Sequence, residues 1–265
     1  MRLWSRLGLA LVVLLATTGC AGGISGTPAV GTGGLAAQTT TAQSTRTSTE
    51  SPDASDPDAS VSVAIDALAD DLADAERIVN MYWETHWGEF FSGSYDPPTV
   101  LGLYDGSDPA QAPTCDGEPL EAYNAVYCPA EDFVAWDANL LVDGADLIGD
   151  SWVYLVIAHE WGHAVQARLD PSLVPLALEL QADCLGAAAI FGAVADQTLT
   201  LEEGDEREMI SSLNALADEM AWTMVSDHGD PFQRVEWFTL GRNGGVQACI
   251  DTAATPEGDP APSTS

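Results

Sequence analysis

The run VIAHEWGHAVQ at residues 156–166 constrains this chain more than any other part of it. His159 and His163 stand four apart, so a helix stacks both imidazoles on one face, within reach of a single Zn²⁺. Glu160 follows the first histidine and points toward the same spot, where it could deprotonate a water. The chain has only four histidines, which makes such a pair around a glutamate hard to obtain by chance. The plain alternative is a helix that happens to bury two histidines on a packed face.

The second half of the pattern comes on the next helix. Residues 151–169 read as a helix with an apolar stripe of Val153, Ile157 and Ala164, broken by Asp170-Pro171. A second helical pattern starts near Ser172, with Pro175 tolerated in its first turn. The spacing predicts a tight hairpin in which His163 and Glu179 lie at similar depth, roughly 10–13 Å from the turn. Glu179 then faces the two histidines as a third ligand. Asp183, one turn further on, is placed to hold a ligand imidazole through the nitrogen that does not bind metal. Three protein ligands leave a fourth position for water, with Glu160 as the base that takes its proton.

HEWGHAVQ followed by ELQADC (179–184) resembles the bacterial family of neutral zinc metallopeptidases, which share with other zincins an HExxH paired with a downstream ExxxD. CPAEDFVAWD (128–137) is similar to the family's cysteine-proline segment and following strand. HGDPFQRVEWFTLGRNGGVQACIDT (228–252) is similar to its terminal histidine-glycine, arginine and cysteine-aspartate pattern. The resemblance covers about residues 67–252, densely from 128 to 192 and loosely before 115. Trp161 and Ala164 depart from the usual residues, and neither carries chemistry.

The resemblance implies a zincin-like metallopeptidase fold, α+β and predominantly helical, with an HExxH active-site helix and a small edge sheet. It implies one Zn²⁺ on His159, His163 and Glu179, Glu160 as catalytic base, and hydrolysis of a peptide or protein substrate. Zincins run an antiparallel edge strand across the cleft, and FVAWD at 133–137 is a candidate for it; an extended substrate could join such an edge through main-chain hydrogen bonds. An interior strand is the alternative.

Other polar residues carry weaker signals. His228 is the candidate for steadying an oxyanion, against the reading of a surface-loop histidine. A lone arginine in an acidic domain reads as an internal ion-pair partner, so Arg234 is expected to be one. His86, in MYWETHWGEFF, has no partner motif and reads as part of an aromatic-rich packed helix.

The start of the chain speaks to compartment. MRLWSR supplies two arginines, LGLALVVLLA is an apolar run, and TTGC follows, the order of a secretory signal ending at a cysteine. The run is too short to span a bilayer stably. Gly19-Cys20 resembles the end of a bacterial lipobox, although Thr17 stands where leucine is usual. Lipidation of Cys20 is therefore expected, with cleavage nearby and free secretion as the alternative. Removing Cys20 leaves Cys115, Cys128, Cys184 and Cys249, an even number suited to an oxidising compartment. Four cysteines allow three pairings; the family resemblance implies Cys115–Cys128 and Cys184–Cys249.

Composition divides the chain into a signal peptide at 1–20, a flexible Gly/Ser/Thr/Ala-rich tether at 21–60, a metallopeptidase domain at 61–253 and a disordered tail at 254–265. Helices are expected at about 61–92, 145–169, 172–195 and 205–226, with a short one near 231–241. The chain carries 41 acidic side chains against eight basic ones, all arginine, for a formal charge of −33. That excludes nucleic acid and an anionic membrane surface as partners, while a lipid anchor still joins the chain to a membrane. The acids are scattered, which reads as solubility rather than a substrate-steering block. Two function classes stay open: an active membrane-tethered zinc peptidase, or a catalytically inactive binding or structural lipoprotein of the same fold. Substrate and oligomeric state are not encoded in any of these signals.

Overall fold

In the computed structural model, which describes residues 57–217 and 230–253, the chain opens on a long helix, α1 (Pro57–Phe90). α1 begins at Pro57, ahead of the helix expected from about 61. The signal segment, Cys20, His228 and the expected tail lie outside the described residues. Aromatic residues on α1 sit in the core, among them Trp83 and Trp87, as the packed-helix reading of this stretch requires.

A three-stranded sheet follows, built from β1 (Thr99–Tyr104), β4 (Ala125–Cys128) and β5 (Phe133–Asp137) in the order β1-β5-β4. A two-residue ladder of β2 (Thr114–Cys115) and β3 (Glu118–Pro119) sits between them in the chain. β5 runs parallel to β1 and antiparallel to β4, where Ala125 pairs with Trp136 and Cys128 with Phe133. FVAWD is therefore the central strand and not an edge, and all five of its residues are buried. Its apolar run has no polar face to turn to solvent, the pattern of a strand covered on both sides. The two edge strands are β1 and β4.

Asp137 ends β5 and caps α2 (Ala138–Leu147), its carboxylate accepting from the amides of Asn139 and Leu140 at 2.9 and 3.1 Å. It also accepts from Gly106 N at 2.8 Å. The helix expected at 145–169 is thus two helices, α2 and α3 (Ser151–Gln166). The break falls at Gly149, whose φ of +139° is open to glycine and closed to nearly every other residue.

α4 (Leu178–Ala195) starts six residues later than the pattern near Ser172 suggests. Pro175 disfavours helical geometry in the residue before it, and Val174 is extended at φ −113° and ψ 114°. Residues 171–173 make only a single 3-10 turn, capped by Asp170 through Ser172 N at 2.9 Å. The connection is not a tight hairpin, and Glu179 sits in the first turn of α4 rather than deep along it.

α3 and α4 are apolar nearly all round, which suits helices enclosed by others. α4 is long and apolar enough to cross a membrane, yet 67% of it is buried inside the fold. The two helices run antiparallel in very close contact. A Cβ on Gly162 would lie 2.7 Å from Ala182 O, and one on Gly186 would lie 3.0 Å from Ala158 O.

α5 (Asp205–Ala215) covers the first part of the helix expected at 205–226, whose residues beyond 217 lie outside the described set. α6 (Pro231–Ala253) extends past 241 as two helical stretches joined by a kink at Gly245, whose φ of 63° and ψ of −164° are not helical. Two disulfides close the structure, Cys115–Cys128 and Cys184–Cys249. They are the pairs that the family resemblance implies.

Candidate metal centre

α3 brings His159, Glu160 and His163 to one wall of a cleft, and the first turn of α4 brings Glu179 to meet them. His159 Nε2 lies 3.2 Å from Glu179 Oε2, His163 Nε2 3.3 Å from Glu179 Oε1, and the two Nε2 atoms are 3.2 Å apart. Two imidazole nitrogens and a carboxylate thus converge, all within 4.8 Å of one another. That donor set can hold a borderline-soft divalent metal.

The close helix contact explains the pairing. With α3 and α4 antiparallel and Gly162 set against Ala182, residue 163 falls beside 179 and residue 159 beside 183. Asp183 Oδ1 lies 2.9 Å from His159 Nδ1. The same carboxylate takes two hydrogen bonds from Arg234, from Nε and NH2, both at 2.7 Å. Arg234 also donates from NH1 to Leu216 O at 2.7 Å. Asp183 and Arg234 are 1% and 2% exposed, so this ion pair is fully internal, as expected of a lone arginine in an acidic domain.

Burial pushes the Asp183 carboxyl upward, but the Arg234 charge and hydrogen bonds outweigh it and hold the group below its ordinary value. Burial lowers His159, and its hydrogen bonds to the carboxylates of Asp183 and Glu179 overcome this and raise it to about 10. His163 is raised in the same way, chiefly by Glu179 against burial. The site therefore favours positive charge at the point where its ligand atoms meet.

His163 has a different support. Its Nδ1 lies 2.8 Å from Gln166 Oε1, while Gln166 Nε2 donates to Leu178 O at 2.7 Å and to Gln181 Oε1 at 3.1 Å. Gln181 Nε2 donates in turn to Leu173 O at 2.7 Å and Cys249 O at 3.3 Å. Sequence reasoning passed over both glutamines. The available signal was position, since Gln166 sits three residues after His163, one turn along the same face.

The cleft encloses about 560 Å³. Ala125, Val126 and Tyr127 of β4 form its opposite wall, with Leu140, Leu178 and Leu216 adding apolar surface. Glu160 lines it too, is 7% exposed, and takes no hydrogen bond from the described residues. Arg168, just past α3, secures the β4–β5 turn through two 2.8 Å bonds to Asp132 and also donates to Asp96 O, ahead of β1, at 2.6 Å. His86 is remote from this site and pairs with Asp196 at 2.7 Å and Glu89 at 3.0 Å.

Residues 171–253 match the model of the family described as "Putative neutral zinc metallopeptidase". The matched stretch carries Glu179, Asp183, Arg234 and Cys249 and begins after the helix that bears His159 and His163. It supports the resemblance drawn from the sequence. No curated protein and no solved structure matches the chain.

Proposed function

We propose that this chain, matched over residues 171–253 to a family of neutral zinc metallopeptidases, is a zinc-dependent peptidase with one zinc on His159, His163 and Glu179. The observation that carries the reading is the convergence of those three side chains on one point of a cleft that Glu160 also lines. Ligand atoms at 2.0–2.1 Å from a tetrahedral centre stand ~3.3–3.4 Å from one another. The two Nε2 atoms here stand 3.2 Å apart, and they meet Glu179 at 3.2 and 3.3 Å through its two oxygens, Oε2 and Oε1 respectively. With neutral imidazoles, the three carboxylates of Glu160, Glu179 and Asp183 against the one guanidinium of Arg234 leave a formal charge of −2, which a dication balances. The donor set and its charge both suit zinc.

Zinc, when bound, supplies Lewis acidity toward a peptide carbonyl and acidifies water toward neutral pH. Glu160 takes one proton from the attacking water as the water oxygen bonds to the carbonyl carbon. It then delivers that proton to the departing amine nitrogen as the C–N bond breaks. Asp183, fixed by Arg234, holds His159 with Nδ1 protonated so that Nε2 faces the cleft. We assign β4, the edge strand that lines the cleft, to pairing with the main chain of an extended peptide, which gives affinity with little side-chain preference. His228 is the residue we assign to steadying the oxyanion.

The same reading sets the domain outside the cytoplasm, held to the membrane by lipid on Cys20 and a tether. Two disulfides support an oxidising compartment. Intact-mass analysis of membrane-extracted protein should show an acylated chain starting at Cys20; a soluble mature chain starting elsewhere would remove the anchor.

The decisive experiment is Glu160→Gln, which keeps size and removes the base. The variant should hold about one zinc per chain while peptidase activity falls by orders of magnitude. Undiminished hydrolysis by that variant, with contaminating proteases excluded, would defeat the mechanism. A wild-type chain that binds zinc and cleaves no peptide would favour the inactive binding protein.

A further inference from the structure

We propose that Gln166 is a positioning residue for metal binding. It fixes the tautomer and ring orientation of His163 through a chain of hydrogen bonds that can run in one direction only. The inference rests on the zinc-peptidase reading above.

The direction is set at the far end. The carbonyl oxygens of Leu173 and Cys249 can only accept, so the group of Gln181 lying 2.7 and 3.3 Å from them must be its NH₂. The Gln181 carbonyl oxygen is thereby turned toward Gln166, whose NH₂ donates to it at 3.1 Å and to the Leu178 carbonyl at 2.7 Å. Gln166 must then present its own carbonyl oxygen to His163 Nδ1, 2.8 Å away. The proton has to sit on Nδ1, which leaves the lone pair of Nε2 pointing at Glu179 and His159.

Neither amide can flip without setting oxygen against oxygen. Gln181 is fully buried and Gln166 is 8% exposed, so water offers little substitute for a lost partner. The chain also joins the ligands to each other, because Leu178, which accepts from Gln166, directly precedes Glu179. His159 is held by an ionic pair and His163 by neutral amides. The two ligands therefore differ in how their orientation is secured.

The test is zinc affinity of the full chain by chelator competition, together with the visible spectrum of the cobalt-loaded protein, which reports ligand geometry. Gln166→Met preserves length and removes all three hydrogen bonds of the amide; it should weaken zinc binding ~10–100-fold and shift the cobalt bands. Wild-type affinity with an unshifted cobalt spectrum in a folded Gln166→Met chain would overturn the assignment.

Should Gln166→Met fail to fold, ¹⁵N-histidine spectra of the zinc-loaded wild-type chain decide the matter. A proton on His163 Nδ1 is expected, and one on Nε2 would overturn the inference. A wild-type chain that binds no zinc would sink the zinc reading itself and this inference with it. That result is distinct from tight wild-type binding with an indifferent Gln166→Met.

Discussion

Gly162 lies so close to Ala182 that an added Cβ would stand 2.7 Å from the Ala182 carbonyl oxygen and 2.9 Å from its Cα. Both contacts are with backbone, which cannot rotate aside as a flexible side chain would. Gly162→Ala should therefore separate α3 from α4 and cost ~1–3 kcal/mol through overpacking. Zinc affinity should fall with it, because the same approach sets His163 beside Glu179. Thermal unfolding and chelator competition measure the two effects; an unchanged melting temperature would show that the helices have slack.

Removing a metal ligand should act through affinity and stability together. Glu179→Ala deletes one of three donors, so zinc binding should collapse, and the zinc-dependent rise in melting temperature with it. A ligand at 100 times its Kd stabilises a native state by ~2.7 kcal/mol, which is the size of shift that chelation of the wild type should produce. Full zinc retention by Glu179→Ala, with loss in some other carboxylate variant, would reassign the third ligand.

Arg234 is expected to be indispensable for reasons other than catalysis. Arg234→Met leaves Asp183 charged and buried without its partner, at a cost of ~3–5 kcal/mol. Asp183→Asn keeps the shape near His159 but discards the charge that Arg234 needs. Each single substitution should destabilise more than the pair together, which a double-mutant cycle followed by denaturant unfolding will show.

The ion pairs of His86 give stability a pH dependence away from the cleft. Burial lowers its pKa, and hydrogen bonds and charge from Asp196 and Glu89 outweigh that to raise it above 6.5. A raised folded value stabilises fully below the unfolded pKa of 6.5 and is lost as pH climbs through the folded value. His86→Ala should thus lower the melting temperature more at pH 5.5 than at pH 9. Equal losses at both pH values would mean that the ring matters only by stacking on Tyr82, 4.8 Å away.

The two disulfides should differ in worth. Cys184–Cys249 spans 65 residues and Cys115–Cys128 spans 13, which the loop-entropy relation converts to ~4 and ~3 kcal/mol respectively. Cys184→Ser with Cys249→Ser should accordingly lower stability more than the paired substitution at 115 and 128. Non-reducing peptide maps that recover the crossed pairing would contradict the structure.

Much of the candidate site could be read from the sequence because it depends on helical period. His159 with His163, and Glu179 with Asp183, each share a face by spacing alone, whatever residue starts α4. That start is hard to read because Pro175 is tolerable in a first turn by itself, whereas its effect falls on Val174. FVAWD was unreadable for a different reason. A short apolar run has the same composition at an edge or at a centre, and only the partner strands decide. The Gln166–Gln181 chain depends on two backbone carbonyls, Leu173 and Cys249, that no side-chain pattern announces.

α6 reaches α4 at two chemically unlike points, the covalent bridge from Cys249 to Cys184 and the ionic clasp from Arg234 to the neighbouring Asp183. A single joint between two rods leaves them free to pivot; two joints at separate places along one of them do not. The α4 anchors are adjacent residues, whereas those on α6 lie on either side of the bend at Gly245. α6 therefore grips one turn of α4 from two directions, like a bracket folded around a beam. Torque applied to the outer surface of α6 is carried by this bracket before it can twist the turn that bears Asp183.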